Sequence, residues 1–164
     1  MAMYTETDIM RLYQHNLCIA IANLCKVEVF CGTPPTLAAV NGWVFEQTVQ
    51  HCLVDELANQ NLHTTVMEQV RIGQRVVIDL LVATVAVEIK LKGLFGQDDF
   101  AKYRKAAAQA RSRGLSYLYL TGQENHPPYR EGIKRAVGVN NAFFLDVAGE
   151  WEGFLSRVTV LLRQ

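Results

Sequence analysis

The strongest constraint on the fold is a pair of apolar segments that only two residues separate. VIDLLV (77–82) and VAVEIK (85–90) are rich in aliphatic, largely β-branched residues, and Ala83-Thr84 lies between them. Apolar runs of this length around a two-residue break predict a β-hairpin. In that hairpin Asp79 lies directly opposite Glu88.

The predicted hairpin has one charged and one apolar face, because side chains alternate along a strand. The charged face carries Asp79, Glu88 and Lys90. The apolar face would consist of Ile78, Leu80, Val82, Val85, Val87 and Ile89. Two carboxylates facing each other repel. A shared proton, Lys90 as an internal counterion, or a divalent cation could each relieve that repulsion. A solvated strand face with an ordinary ion pair is the simpler alternative.

The rest of the chain predicts one domain, residues 1–164, with a core at about 42–121. The pattern predicts a helix at about 7–26 and a second helix that opens at Asn41-Gly42. Three strands in a meander follow, then a helix that ends at Gly114 and a strand LSYLYLT. The chain is interrupted at Pro127-Pro128 before a short helix at 129–136, and a strand–helix extension covers about 140–164. This order predicts an α/β fold with a central mixed sheet flanked by helices.

Composition excludes some classes of protein. The 16 Lys and Arg residues balance the 16 Asp and Glu residues, so the molecule as a whole has no electrostatic attraction for nucleic acid or membrane. The four cysteines form no CxxC pair, which favours reduced, buried thiols over a zinc site. There is no apolar run of about 18 residues and no signal-peptide pattern. We therefore expect a soluble, cytoplasmic protein with no membrane partner.

The motif ID(x8)EIK, an aspartate on one strand and Glu-x-Lys on its hairpin partner, resembles the PD-(D/E)xK nuclease superfamily. The resemblance implies a restriction-endonuclease-like α-β-β-β-α-β core in which Asp79, Glu88 and Lys90 are catalytic. It also implies an acidic residue on the first core helix, and Glu46 in GWVFE is at the matching position. Asp79, Glu88 and Glu46 would then bind Mg²⁺, for which Mn²⁺ could substitute.

Basic residues cluster on the helix that follows the hairpin. Lys102, Lys105 and Gln109 fall on one side of this helix, next to Tyr103, and Lys92 lies just before it. Phosphate contacts from such residues are independent of base sequence, as a backbone-cutting enzyme requires. We therefore expect these five residues to contact DNA, although a solvated helix face would look the same in sequence.

Together these features predict a Mg²⁺-dependent deoxyribonuclease that hydrolyses phosphodiester bonds in DNA. The alternative is a non-catalytic module that binds nucleic acid or protein and retains the nuclease fold. A metal-independent α/β protein with a surface ion network is a third possibility. Because the chain is short for a separate target-recognition domain, we also expect a homodimer or partner proteins.

Overall fold

The computed structural model describes residues 2–24, 35–74, 76–92, 97–123 and 127–164. Its elements are α1 (Glu6–Leu24), α2 (Leu37–Asn59), β1 (Val66–Arg71), β2 (Val77–Val82), β3 (Val85–Lys92), α3 (Gln97–Ser112), β4 (Ser116–Gln123), α4 (Pro127–Val137), a 3₁₀ turn (Val139–Asn141), β5 (Ala142–Phe144) and α5 (Glu150–Leu162). Among the described helices, none has the length and apolarity needed to cross a membrane.

Within the described residues, the strands form one mixed sheet in the order β1-β2-β3-β4-β5. The first three strands are antiparallel, whereas β3, β4 and β5 run parallel. Helices cover both faces of this sheet: α1, α2 and α5 pack on one, α3 and α4 on the other. The predicted α/β class, with a central mixed sheet flanked by helices, is confirmed.

The hairpin turn at Ala83-Thr84 is also confirmed. Val82 pairs with Val85, Leu81 with Ala86, and Leu80 with Val87, which is the predicted register. Ala83 has φ 50°, in the left-handed region that tight hairpin turns require. The predicted alternation therefore holds for the part of the hairpin nearest the turn.

Farther from the turn, the prediction that Ile78 shares a face with Leu80 and Val82 is wrong. Leu80 and Val82 pack under α2, whereas Ile78 packs with Leu81 against the α3 and α4 side. A period of two would keep residues 78, 80 and 82 together, so β2 changes faces at Asp79. The neighbouring strand does the same, because Val66 packs on the α2 side and Val70 on the α3 side.

The backbone of Gln69 accounts for this change of faces. Its φ is 49°, a left-handed conformation that side-chain-bearing residues seldom adopt within a strand. Pairing continues on both sides of it, at Glu68–Leu80 and Val70–Ile78. The strands therefore keep their register but turn over between these two pairs, at Gln69 and Asp79.

Two helix starts differ from the predictions. Helix α2 begins at Leu37, before Asn41-Gly42, because the Thr36 hydroxyl accepts a hydrogen bond from the Ala39 amide and caps the helix. Gly42 lies inside α2, with open space where a Cβ would stand. Pro127-Pro128 starts α4 and does not interrupt the chain before it, since a proline in the first turn lacks only an amide that the helix does not use.

Other local predictions have mixed outcomes. The predicted core stripe of α2 is buried, namely Phe45, Val49, Cys52, Leu53 and Leu57. Gly114, at φ 72°, follows α3 as predicted. The prediction of buried cysteines holds for Cys52 but is wrong for Cys18, which is exposed on α1; Cys25 and Cys31 lie outside the described residues.

Candidate functional site

The candidate site begins where β2 and β3 stop pairing. Leu80–Val87 is the last backbone pair of that ladder, and Asp79 is the next residue on β2. Its Oδ2 atom accepts a hydrogen bond from the Ile89 amide at 2.7 Å. A side-chain carboxylate thus holds a strand amide, and this contact fixes Asp79 between the separating strands, beside Glu88.

Lys90 is the shared counterion of the two carboxylates. Its Nζ atom lies 2.8 Å from Asp79 Oδ2 and 2.8 Å from Glu88 Oε1, and it also donates to the Ile89 carbonyl at 2.9 Å. Three acceptors match the three hydrogens of an ammonium group. Of the three predicted ways to relieve the repulsion, the structure therefore shows the internal counterion.

The site is buried, so the alternative of a solvated strand face is wrong. Asp79 is 8% and Glu88 5% exposed. Burial raises the pKa of Glu88, and Asp79 adds to this effect, while Lys90 opposes it. Burial alone would lower the pKa of Lys90, but the charges of Glu88 and Asp79 outweigh it and the pKa rises. Lys90 is therefore an ammonium at neutral pH.

Glu46 approaches this group from α2, in its third turn. Burial and the charge of Asp79 raise the pKa of Glu46 to about 7, despite the opposing charge of Lys90. A side-chain amide connects the two acids, since Gln69 Nε2 lies 3.3 Å from Glu46 Oε2 and 3.4 Å from Asp79 Oδ1. The structure thus joins Asp79 and Glu88 through Lys90, and joins Glu46 to Asp79 through the Gln69 amide.

Gln69 was not among the residues predicted from the sequence. The only sequence signal is that TTVMEQVRI has a polar residue in a strand next to the one that carries Asp79. The sequence alone does not fix the register between β1 and β2, and nothing in a glutamine predicts a left-handed backbone.

A cavity of about 450 Å³ opens over the acidic group. Its lining comes from β2 and the residue before it, β3 and α3, and comprises Val76, Val77, Asp79, Glu88, Lys90, Lys102, Tyr103, Lys105 and Ala106. Lys102 and Lys105 are exposed, so two cations stand at the edge of a cavity that contains buried carboxylates.

The other residues predicted to contact DNA are placed differently. Lys92 is exposed at the end of β3. Gln109 is outside the cavity lining: its side chain packs on Gly73, where an added Cβ would come within 2.5 Å of Oε1. That Oε1 atom is buried without a hydrogen-bond partner.

Tyr103 lines the cavity, but most of its ring belongs to the core. It is 4% exposed and packs edge-on against Tyr119, with ring centroids 5.0 Å apart. Burial raises the pKa of Tyr103 to about 12, so its hydroxyl stays protonated at neutral pH. This leaves little of the ring for stacking on a base.

The donor set suits a hard cation, although three metal-ligating side chains do not converge. Carboxylate and carbonyl oxygens are the ligands that Mg²⁺ prefers, and the Asp79, Glu88 and Ile89 oxygens surround the Lys90 ammonium. Within the described ranges, however, no three His, Cys, Asp or Glu side chains form a metal-binding group. The present arrangement is one in which Lys90 supplies the positive charge.

Comparison with known proteins adds no identification to this geometry. No family model, no curated protein and no solved structure matches the chain.

Proposed function

We propose that this protein is a metal-dependent nuclease of the PD-(D/E)xK type, with a restriction-endonuclease-like core, that hydrolyses phosphodiester bonds in DNA. The observation that carries the proposal is that Lys90 joins the buried carboxylates of Asp79 and Glu88 in the lining of a cavity that two exposed lysines also line. The carboxylates could hold a divalent cation and the exposed lysines could contact a phosphate, so this arrangement suits a site where a phosphate of DNA contacts a bound cation.

Asp79 and Glu88 would hold Mg²⁺ or Mn²⁺, with Glu46 assisting from α2. The cation would supply positive charge against the charge that develops on the phosphate. It would compete for the oxygens that Lys90 now contacts, Asp79 Oδ2 and Glu88 Oε1. A cation on either of these oxygens would weaken the corresponding contact of Lys90.

The contacts with Asp79 and Glu88 favour the ammonium form of Lys90. As an ammonium it has hydrogens to donate and no lone pair to accept a proton. Lys90 would therefore orient the attacking water and balance negative charge on the phosphate, and solvent water in the open cavity would take up the released proton.

DNA would approach over α3. The chain has no net charge, so the attraction must be local, and Lys102 and Lys105 provide it at the edge of the cavity. Contacts to phosphates carry no base information, which fits an enzyme that relies on a second copy or a partner protein for its targets.

One observation favours a second function, a non-catalytic module that binds nucleic acid or protein. Lys90 already contacts both buried acids, and its third contact is to the Ile89 carbonyl. The two acids therefore have a counterion without a metal. This is also expected of a nuclease-like protein that has kept the fold and lost the reaction.

Cleavage of supercoiled, linear and branched DNA in the presence of Mn²⁺ or Mg²⁺ separates the two functions. Asp79→Asn keeps an oxygen acceptor for the Ile89 amide but removes the charge, and we expect it to lower cleavage by roughly 100-fold or more. Glu68→Gln is the matched control, because Glu68 is an exposed acid on β1 that bonds Gln47 and Gln50. Wild-type protein that cuts no substrate faster than Asp79→Asn would exclude the nuclease.

A further inference from the structure

Gln69 occupies an unusual place in the sheet. It is on the edge strand β1, between the pairs Glu68–Leu80 and Val70–Ile78, and is therefore level with Asp79. Its φ of 49° lies in a sparsely populated region for a glutamine. Both strands change faces at this level, so the conformation determines which way the Gln69 and Asp79 side chains point.

The side chain of Gln69 lies between two acids from different layers. Its Nε2 atom is 3.3 Å from Glu46 Oε2, on α2, and 3.4 Å from Asp79 Oδ1, on β2. An amide nitrogen carries two hydrogens, one for each carboxylate. Both contacts are long for hydrogen bonds, as expected where one nitrogen serves two acceptors.

The Asp79 oxygens have separate partners. Lys90 and the Ile89 amide contact Oδ2, whereas Gln69 contacts Oδ1. The amide therefore acts on the side of Asp79 that faces Glu46, away from the ammonium. A neutral donor at this point reduces the repulsion between Asp79 and Glu46.

The adjacent residue provides a comparison within the same strand. Glu68 accepts hydrogen bonds from the amides of Gln47 at 2.7 Å and Gln50 at 2.9 Å. These bonds also join α2 to β1, but they are shorter and do not reach Asp79, Glu88 or Lys90. Joining the helix to the strand therefore does not by itself require Gln69.

We propose that Gln69 is a positioning residue of the acidic site: its left-handed backbone places the amide between Glu46 and Asp79 and holds these carboxylates close enough to act on one divalent cation. The inference rests on the proposed metal site. Residues that orient metal ligands typically change metal affinity 10- to 100-fold when they are mutated, and we expect an effect of about that size.

The first test is the affinity for Mn²⁺, measured by titration calorimetry on the whole chain. Gln69→Gly removes the amide and tolerates the positive φ; Gln69→Asn keeps an amide but is one methylene too short. We expect both variants to bind Mn²⁺ roughly 10- to 100-fold more weakly. Gln50→Ala, which removes a glutamine–carboxylate bond outside the site, should bind like wild type. Wild-type affinity in Gln69→Gly would overturn the inference.

The second test uses metal-free protein and the ¹³C resonances of the Glu46 and Asp79 carboxyl groups. Both resonances should move in Gln69→Gly and stay in place in Gln50→Ala. If the wild-type protein binds no Mn²⁺, the metal site fails and this measurement alone decides whether Gln69 joins the two acids. Unmoved resonances would overturn the inference with or without metal.

Discussion

Two buried acidic regions in the described part of the chain have opposite designs. Glu56, on α2, has no exposed surface, and its Oε1 atom accepts bonds from the Met3 and Tyr4 amides at 2.6 and 2.9 Å and lies 3.5 Å from Trp151 Nε1. These donors are neutral and come from both ends of the chain. Asp79 and Glu88, in contrast, share one ammonium under an open cavity.

The difference shows that burial of a carboxylate does not by itself indicate a catalytic or metal-binding role. Backbone amides and an indole hold Glu56 in place, and their arrangement ties the amino-terminal segment and α5 to α2. At the other site a movable side chain provides the partner, and a cation could replace it. Burial is common to both regions, whereas an exchangeable partner and access from solvent belong only to the second.

The largest effect should come from removing that partner. Lys90→Ala leaves Asp79 and Glu88 buried without a counterion, and breaking a buried ion pair in this way costs about 3–5 kcal/mol. Urea unfolding at pH 7 without metal measures the loss. Mn²⁺ should restore part of the stability, because it can take the place of the ammonium. The control is Lys92→Ala, on the same strand but exposed, and an equal loss in both variants would contradict the prediction.

The next effect tests the structural role of Glu56. Glu56→Ala removes hydrogen bonds to a charged acceptor, each worth about 1.5–3 kcal/mol, and should lower the free energy of unfolding by about that amount or slightly more. DNA cleavage per folded molecule and Mn²⁺ affinity should not change. Glu56→Gln, which keeps an oxygen at the same place, should lose less. A weaker affinity for Mn²⁺ in either variant would show that the two regions are not separate.

A smaller effect concerns pH. The pKa of Glu46 is about 7 in the folded chain, against an ordinary 4.5, so the folded state binds more protons than the unfolded state between these values. Stability from this group is complete below about pH 4.5 and is lost as the pH rises to 7. The melting temperature of wild type minus that of Glu46→Gln should therefore fall across this interval. If the melting temperatures of the two proteins changed with pH in the same way, this role of Glu46 would be refuted.

The smallest effect is on binding of DNA. Each lysine that contacts a phosphate contributes about 0.9 to the slope of log affinity against log salt, so Lys102→Ala and Lys105→Ala should each reduce the slope by about this amount. Arg104→Ala is the control, since Arg104 is exposed on the same helix but does not line the cavity. Fluorescence anisotropy at several salt concentrations measures the slope. Equal slopes in all variants would show that the two lysines do not contact DNA phosphates.

Glu88 and Lys90 could be placed from the sequence because their positions need only local rules, whereas the orientation of Asp79 also depends on the change of faces at Gln69. Two β-prone runs and a two-residue turn determine the register, and alternation then puts Glu88 and Lys90 on one side. The sequence does not decide between a shared proton, Lys90 and a divalent cation as the means of relieving the repulsion between the acids. The decision depends on the reach of the Lys90 side chain, and therefore on how far β2 and β3 separate.

Features that depend on tertiary structure could not be predicted in the same way. The change of faces at Gln69 arises from one dihedral angle that no residue preference favours. The contacts of Glu56 join residues more than 50 positions apart. Gln109 fits the helical spacing of a DNA-facing residue, yet close packing against Gly73 directs it elsewhere. In each case the position of the side chain depends on which distant part of the chain packs against it.

The hydrogen bond from the Ile89 amide to Asp79 has a consequence for dynamics. Most amides in a sheet are protected from solvent exchange by a backbone carbonyl, whereas this one is protected by a titratable side chain at 2.7 Å. Its hydrogen–deuterium exchange rate therefore depends on the charge and rotamer of Asp79 as well as on opening of the sheet. Ile89 is thus an internal reporter, within the backbone itself, of every event that draws Asp79 away.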